Sequence, residues 1–92
     1  MPKKGIDALA KELFFETIAK IKDKKHFEEF FYDLFSSSEV KDVSRRLLAA
    51  KMLIEGKTYL EIKNDMGMSE GTINKIYFKT KGSPILHRFF SK

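Results

Sequence analysis

Ninety-two residues with no cysteine exclude a disulfide-framed scaffold and thiolate metal sites, and they leave room for one small domain whose solitary core is marginal. Nine phenylalanines among 13% aromatic residues exceed what one thin monomer easily hides, which points to self-association. The net charge of +5 is unevenly placed: residues 1–38 hold seven Lys/Arg and seven Asp/Glu, whereas residues 39–92 hold eleven and six, the footprint of a polyanion partner.

The chain opens on a basic run, Met1-Pro2-Lys3-Lys4-Gly5, with no apolar run after it, so it does not read as a secretory signal. A frayed terminus is expected there rather than an arm reaching along a nucleic acid. The first helix is predicted over about 6–21, with Ile6, Leu9, Leu13, Ile18 and Ile21 near helical spacing and Phe14 and Phe15 widening the stripe. A second is predicted over about 24–35. Its face, Phe27, Phe30, Phe31, Leu34 and Phe35, repeats at i, i+3, i+4, i+7 and i+8. Such an aromatic stripe serves as core, interface or ligand pocket. Two neutral, phenylalanine-rich helices favour an interface with a second copy, with Phe14, Phe27, Phe30, Phe31, Leu34 and Phe35 as the contact candidates. Ser36-Ser37-Ser38-Glu39 has the form of a capping box that starts helix three at Ser36. Val40, Val43, Leu47, Ala50 and Ile54 form its stripe, and Gly56 ends it. The densest apolar stretch, 47–54, is interrupted by Lys51 and is far short of a membrane span, so a soluble cytoplasmic protein is expected.

Residues 58–79 are the most informative. Tyr59, Ile62 and Met66 recur on one face of a short helix, and Gly67 follows, where glycine enters the left-handed turn without steric cost. Met68 turns inward, and Ser69 caps a further helix whose Ile73 and Ile76 face the first. Glu70, Gly71, Thr72, Asn74 and Lys75 are left facing outward. A short helix, a tight turn and an exposed polar helix start form a helix-turn-helix, the device that places side chains in the DNA major groove. The same turn also serves ordinary helical hairpins. Finally, Ser83 as cap and Pro84 at the first helical position begin a short helix over 83–91.

Several segments together resemble the Trp repressor family, and most of all its Trp-repressor-like YerC/YecD branch. They are Val43-Ser44-Arg45-Arg46-Leu47, Met52-Leu53-Ile54-Glu55-Gly56-Lys57-Thr58-Tyr59, Ile62-Lys63-Asn64-Asp65-Met66-Gly67 and Thr72-Ile73-Asn74-Lys75, with likeness extending upstream through residues 12–35. The resemblance implies an all-α fold of about six helices, an intertwined homodimer and sequence-specific DNA binding. It also implies a single domain over 1–92, in which 6–35 dimerise and 58–79 read DNA. Arg46 matches one of the two arginines that hold the indole of tryptophan in the repressor. Lys75 stands at the second arginine, and a flexible ammonium does not replace a planar guanidinium. Ile76 replaces a glycine beside the ligand. Tryptophan is therefore not expected as a corepressor, no cofactor is assigned, and Arg46 is left to bind phosphate or to make an intramolecular ion pair.

Ser69, Glu70, Gly71, Thr72, Asn74 and Lys75 are the candidate base readers. Asn74 suits adenine, Thr72 a phosphate or a thymine methyl, and Glu70 either cytosine or the helix dipole. Lys57, Lys63, Lys79 and Lys81 are the candidate phosphate contacts. His26 and His87 lie far apart and belong to no metal-spaced cluster, and there is no phosphate loop or nucleophile elbow, so neither catalysis nor a metal is expected. The reading is a transcriptional regulator that binds duplex DNA as a homodimer. Its alternative is a protein-interaction module that keeps the helix-turn-helix shape without reading DNA.

Overall fold

A computed structural model of the chain describes residues 5–91. The basic run at residues 1–4 and Lys92 lie outside the described residues. Six helices follow in order: α1 (Ile6–Ala19), α2 (Lys24–Leu34), α3 (Ser37–Ile54), α4 (Tyr59–Met66), α5 (Glu70–Lys81) and α6 (Pro84–Phe90). There is no strand among the described residues. The all-α class and the six helices expected from the periodicity are those observed. The chain divides into two compact units at Ser37/Ser38.

In the first unit, α1 stops two residues before its expected end. Lys20 and Ile21 bond to Thr17 O and Ile18 O, three residues back, which tightens the last turn. The Thr17 hydroxyl donates to Leu13 O at 2.7 Å, as such side chains do near a helix end. Asp23 caps α2: one oxygen accepts from the His26 backbone N–H and the other meets His26 Nδ1, both at 2.8 Å. Phe35 falls just outside α2 because its backbone is extended, though its N–H still reaches Phe31 O. The two helices meet through rings. Phe14 of α1 lies 6.2 Å from Phe30 and 6.1 Å from Phe35, and Phe31 stacks between Phe27 and Phe35. No residue of α1 or α2 is buried.

The second unit has a core. Ala49 and Ala50 of α3, Ile62 of α4, Met68 of the turn, and Ile73 and Ile76 of α5 are buried together, with Tyr59, Met66 and Leu86 packed around them. α3 begins at Ser37, one residue after the expected cap, and ends on Gly56 at φ 91°. Gly56 N–H bonds to Leu53 O and Lys57 N–H to Met52 O, the paired pattern that closes a helix over a left-handed residue.

Candidate nucleic-acid interface

The site is built by local rules. Thr58 starts α4 with a full capping box: its hydroxyl accepts from Glu61 N–H while Glu61 Oε1 accepts from Thr58 N–H. These bonds hold the Glu61 carboxyl below the usual carboxylate range. Thr58-x-x-Glu61 is legible in the sequence as a capping box and is absent from the expectations above. α4 ends on Gly67, left-handed at φ 62°. Met68 is 8% exposed, turned inward as expected. Ser69 then caps α5, accepting from Thr72 N–H at 3.2 Å. Arg45 fastens the arrangement from α3: its Nη2 donates to Met66 O, one of the carbonyls that the end of α4 leaves without a helical partner.

α5 buries Ile73, Ile76 and Thr80 and exposes the opposite face. Glu70, Gly71, Thr72, Asn74 and Lys75 are all exposed, as are Lys57, Lys63, Lys79 and Lys81. The base-reading candidates are not equivalent. Ser69 is committed to structure, because its hydroxyl both accepts from Thr72 N–H and donates to Thr72 Oγ1 at 3.0 Å. Asn74 is exposed and is reached from α4, where Tyr59 O–H donates to its Oδ1 at 3.1 Å. Gly71 needs no glycine for the chain's own sake, since a Cβ there meets nothing within 4 Å. Gly71, Asn74, Lys75 and Phe78 follow i, i+3, i+4 and i+7 and make one outer ridge. Phe78, 62% exposed, belongs to that ridge and escaped the sequence reading because aromatic residues are assigned to cores by default. Lys81 lies over the Tyr77 ring, 6.0 Å from its centroid.

Between α3 and α5 runs an open groove of about 910 Å³, bordered by Arg46, Leu47, Lys75, Ile76, Lys79 and Leu86 among others. Arg46 makes no ion pair among the described residues, so the intramolecular pairing offered as one of its roles is not what the structure contains. Ile76 is 8% exposed and projects its branched side chain between core and groove. No group of three or more His, Cys, Asp or Glu capable of holding a metal occurs among the described residues.

A capped, outward-facing second helix behind a glycine turn, carried on an all-α frame, has the form of a helix-turn-helix. The chain matches the Trp repressor protein family over residues 10–82. It is 39% identical over 74 residues to the uncharacterized protein YerC of Bacillus subtilis (strain 168), a match covering 77% of this chain and 71% of that relative. No solved structure matches. The chain belongs to the Trp repressor family, a family of non-enzymatic regulators, and that membership implies DNA binding.

Proposed function

We propose that this chain binds duplex DNA sequence-specifically as a homodimer and represses transcription from the cytoplasm. The observation that carries the DNA reading is α5: its first turn is capped by Ser69, its inner side is buried through Ile73, Ile76 and Thr80, and its outer side, with Glu70, Gly71, Thr72, Asn74, Lys75 and Phe78, is left to solvent. Lys57, Lys63, Lys79 and Lys81 supply phosphate contacts, and Glu70, Gly71, Thr72, Asn74 and Lys75 face the bases. What supports the homodimer is the first unit, where two phenylalanine-rich helices leave every one of their residues at least partly exposed within one chain. A two-fold pair would set two α5 helices to read half-sites one DNA turn apart. No helix among the described residues is long and apolar enough to cross a membrane.

Salt-dependent duplex binding is the test. Lys63→Ala and Lys79→Ala each weaken binding to all sequences alike and lower the salt slope by about one unit, because each lost phosphate contact releases one fewer counterion. A double lysine variant with unchanged affinity overturns the docking. Wild-type protein that fails to bind any duplex at about 50 mM salt and 10 µM protein transfers the reading to a protein-interaction module. The groove beside α5 does not take tryptophan as a corepressor: Lys75 stacks poorly on an indole and Ile76 occupies ring space. Titration calorimetry at millimolar tryptophan checks this. A dissociation constant below about 100 µM, near −5.5 kcal/mol, reverses it.

A further inference from the structure

We propose that Tyr59 is a specificity-determining positioning residue. It holds the Asn74 amide by its oxygen, so that the amide's amino arm is what α5 offers to a base edge. The proposal rests on the DNA reading above and adds which chemistry is read. Tyr59 opens α4, and its ring packs against the buried core and meets Tyr77 edge-on at 6.1 Å, so its hydroxyl has a fixed position. That hydroxyl donates to Asn74 Oδ1 across 3.1 Å. Asn74 itself is exposed and would otherwise rotate.

An asparagine that reads adenine uses both arms on one base, the oxygen taking the N6 hydrogen while the amino group donates to N7. With the oxygen turned to Tyr59, the amino arm remains, and its complement is a base edge that only accepts. Guanine presents two such acceptors, N7 and O6. A second hydroxyl acts in the same sense. Ser69 donates to Thr72 Oγ1 at 3.0 Å, which leaves the Thr72 hydrogen to point elsewhere. Lys75 can only donate. Thr72, Asn74 and Lys75 thus offer donors, and the sequence expectation of adenine at Asn74 gives way to guanine.

Site selection from random duplexes by wild type, Tyr59→Phe, Asn74→Ala and Asn74→Asp tests this. At the position whose preference Asn74→Ala abolishes, wild type should favour guanine by about tenfold. Tyr59→Phe keeps the packed ring and should lower that preference to within twofold at the same position, while affinity for random duplex stays within twofold. Tyr59→Phe added to Asn74→Ala should change nothing further. Asn74→Asp leaves the core untouched and should move the preference to cytosine, whose N4 donates. In the DNA-free protein, Tyr59→Phe should shift the Asn74 side-chain amide resonances. Adenine at the Asn74-dependent position, or a Tyr59→Phe variant that selects the wild-type site, overturns the proposal and leaves the DNA reading standing. Wild type that selects no site overturns both.

Discussion

The two units spend their apolar residues differently. Up to Ser37, five phenylalanines lie on α1 and α2 and a sixth, Phe35, at the end of α2, yet no side chain of either helix is buried; Leu13 is 68% exposed and Phe15 65%. From Ser38 on, the buried side chains are Ala, Ile and Met with one threonine, none of them aromatic, yet Ala49, Ile62 and Ile73 are fully enclosed. Burial therefore follows the supply of neighbours rather than hydrophobicity. Three helices and a turn converge on Ile62 and Ile73, whereas α1 and α2 offer each other one face apiece. Apolar area left over in this way is where a second chain gains most, at roughly 25 cal/mol per Å² removed from water.

The largest expected effect separates these two cases. Phe31→Asp places an unpaired carboxylate in the proposed dimer surface at a cost of about 3–5 kcal/mol, and light scattering should show dissociation or unfolding that depends on protein concentration. Ile73→Ala costs a comparable amount, about 3 kcal/mol, through a cavity in the second unit, and leaves assembly intact. A folded wild-type monomer at about 100 µM breaks the comparison.

A smaller effect lies inside the second core. Thr80 is 3% exposed and its Oγ1 has no hydrogen-bond partner among the described residues. Replacing a buried, unpaired hydroxyl with a methyl of the same shape removes its desolvation cost, so Thr80→Val should stabilise by about 1 kcal/mol in a urea melt. Unchanged or lower stability would mean that the hydroxyl has a partner in solution.

Gly71→Ala sharpens the distinction between stability and recognition. A Cβ fits there without contact, and alanine favours the helix, so stability should rise by less than about 1 kcal/mol. Duplex affinity should fall nonetheless if the α5 backbone approaches DNA at this point. Unchanged affinity in a gel-shift titration would show that the backbone stays clear.

The weakest effect concerns the caps. Asp23 and Glu61 both have carboxyls held below their usual range, first by backbone N–H groups, of His26 and Thr58 respectively. A lowered folded-state value means that each cap contributes above the ordinary carboxylate range and is lost as pH falls through the lowered value. Helicity followed by circular dichroism should therefore drop slightly in acid. Asp23→Asn and Glu61→Gln should reduce that acid dependence.

Around the second unit, most of what is local was legible in the sequence. The stop of α4 on Gly67, the start of α5 after Ser69, and Ser83-Pro84 before α6 follow from residues within four positions of one another, because capping bonds and left-handed turns involve only the backbone of one turn. The inward side of α5 followed too, since Ile73 and Ile76 share a face by helical geometry alone. What the tertiary structure decided spans the chain: Arg45 reaches a carbonyl 21 residues away, and Tyr59 reaches an amide 15 residues away. Neither pairing has a spacing signature, because each depends on how one helix lies on another and on which rotamer that crossing allows. Thr80 is a different case: it sits on the face of Ile73 and Ile76 at i+7 and i+4, and a sequence reading leaves it out only because a polar residue is assigned to the surface. What only the tertiary structure decided is that the core reaches far enough along α5 to enclose it, at 3% exposure.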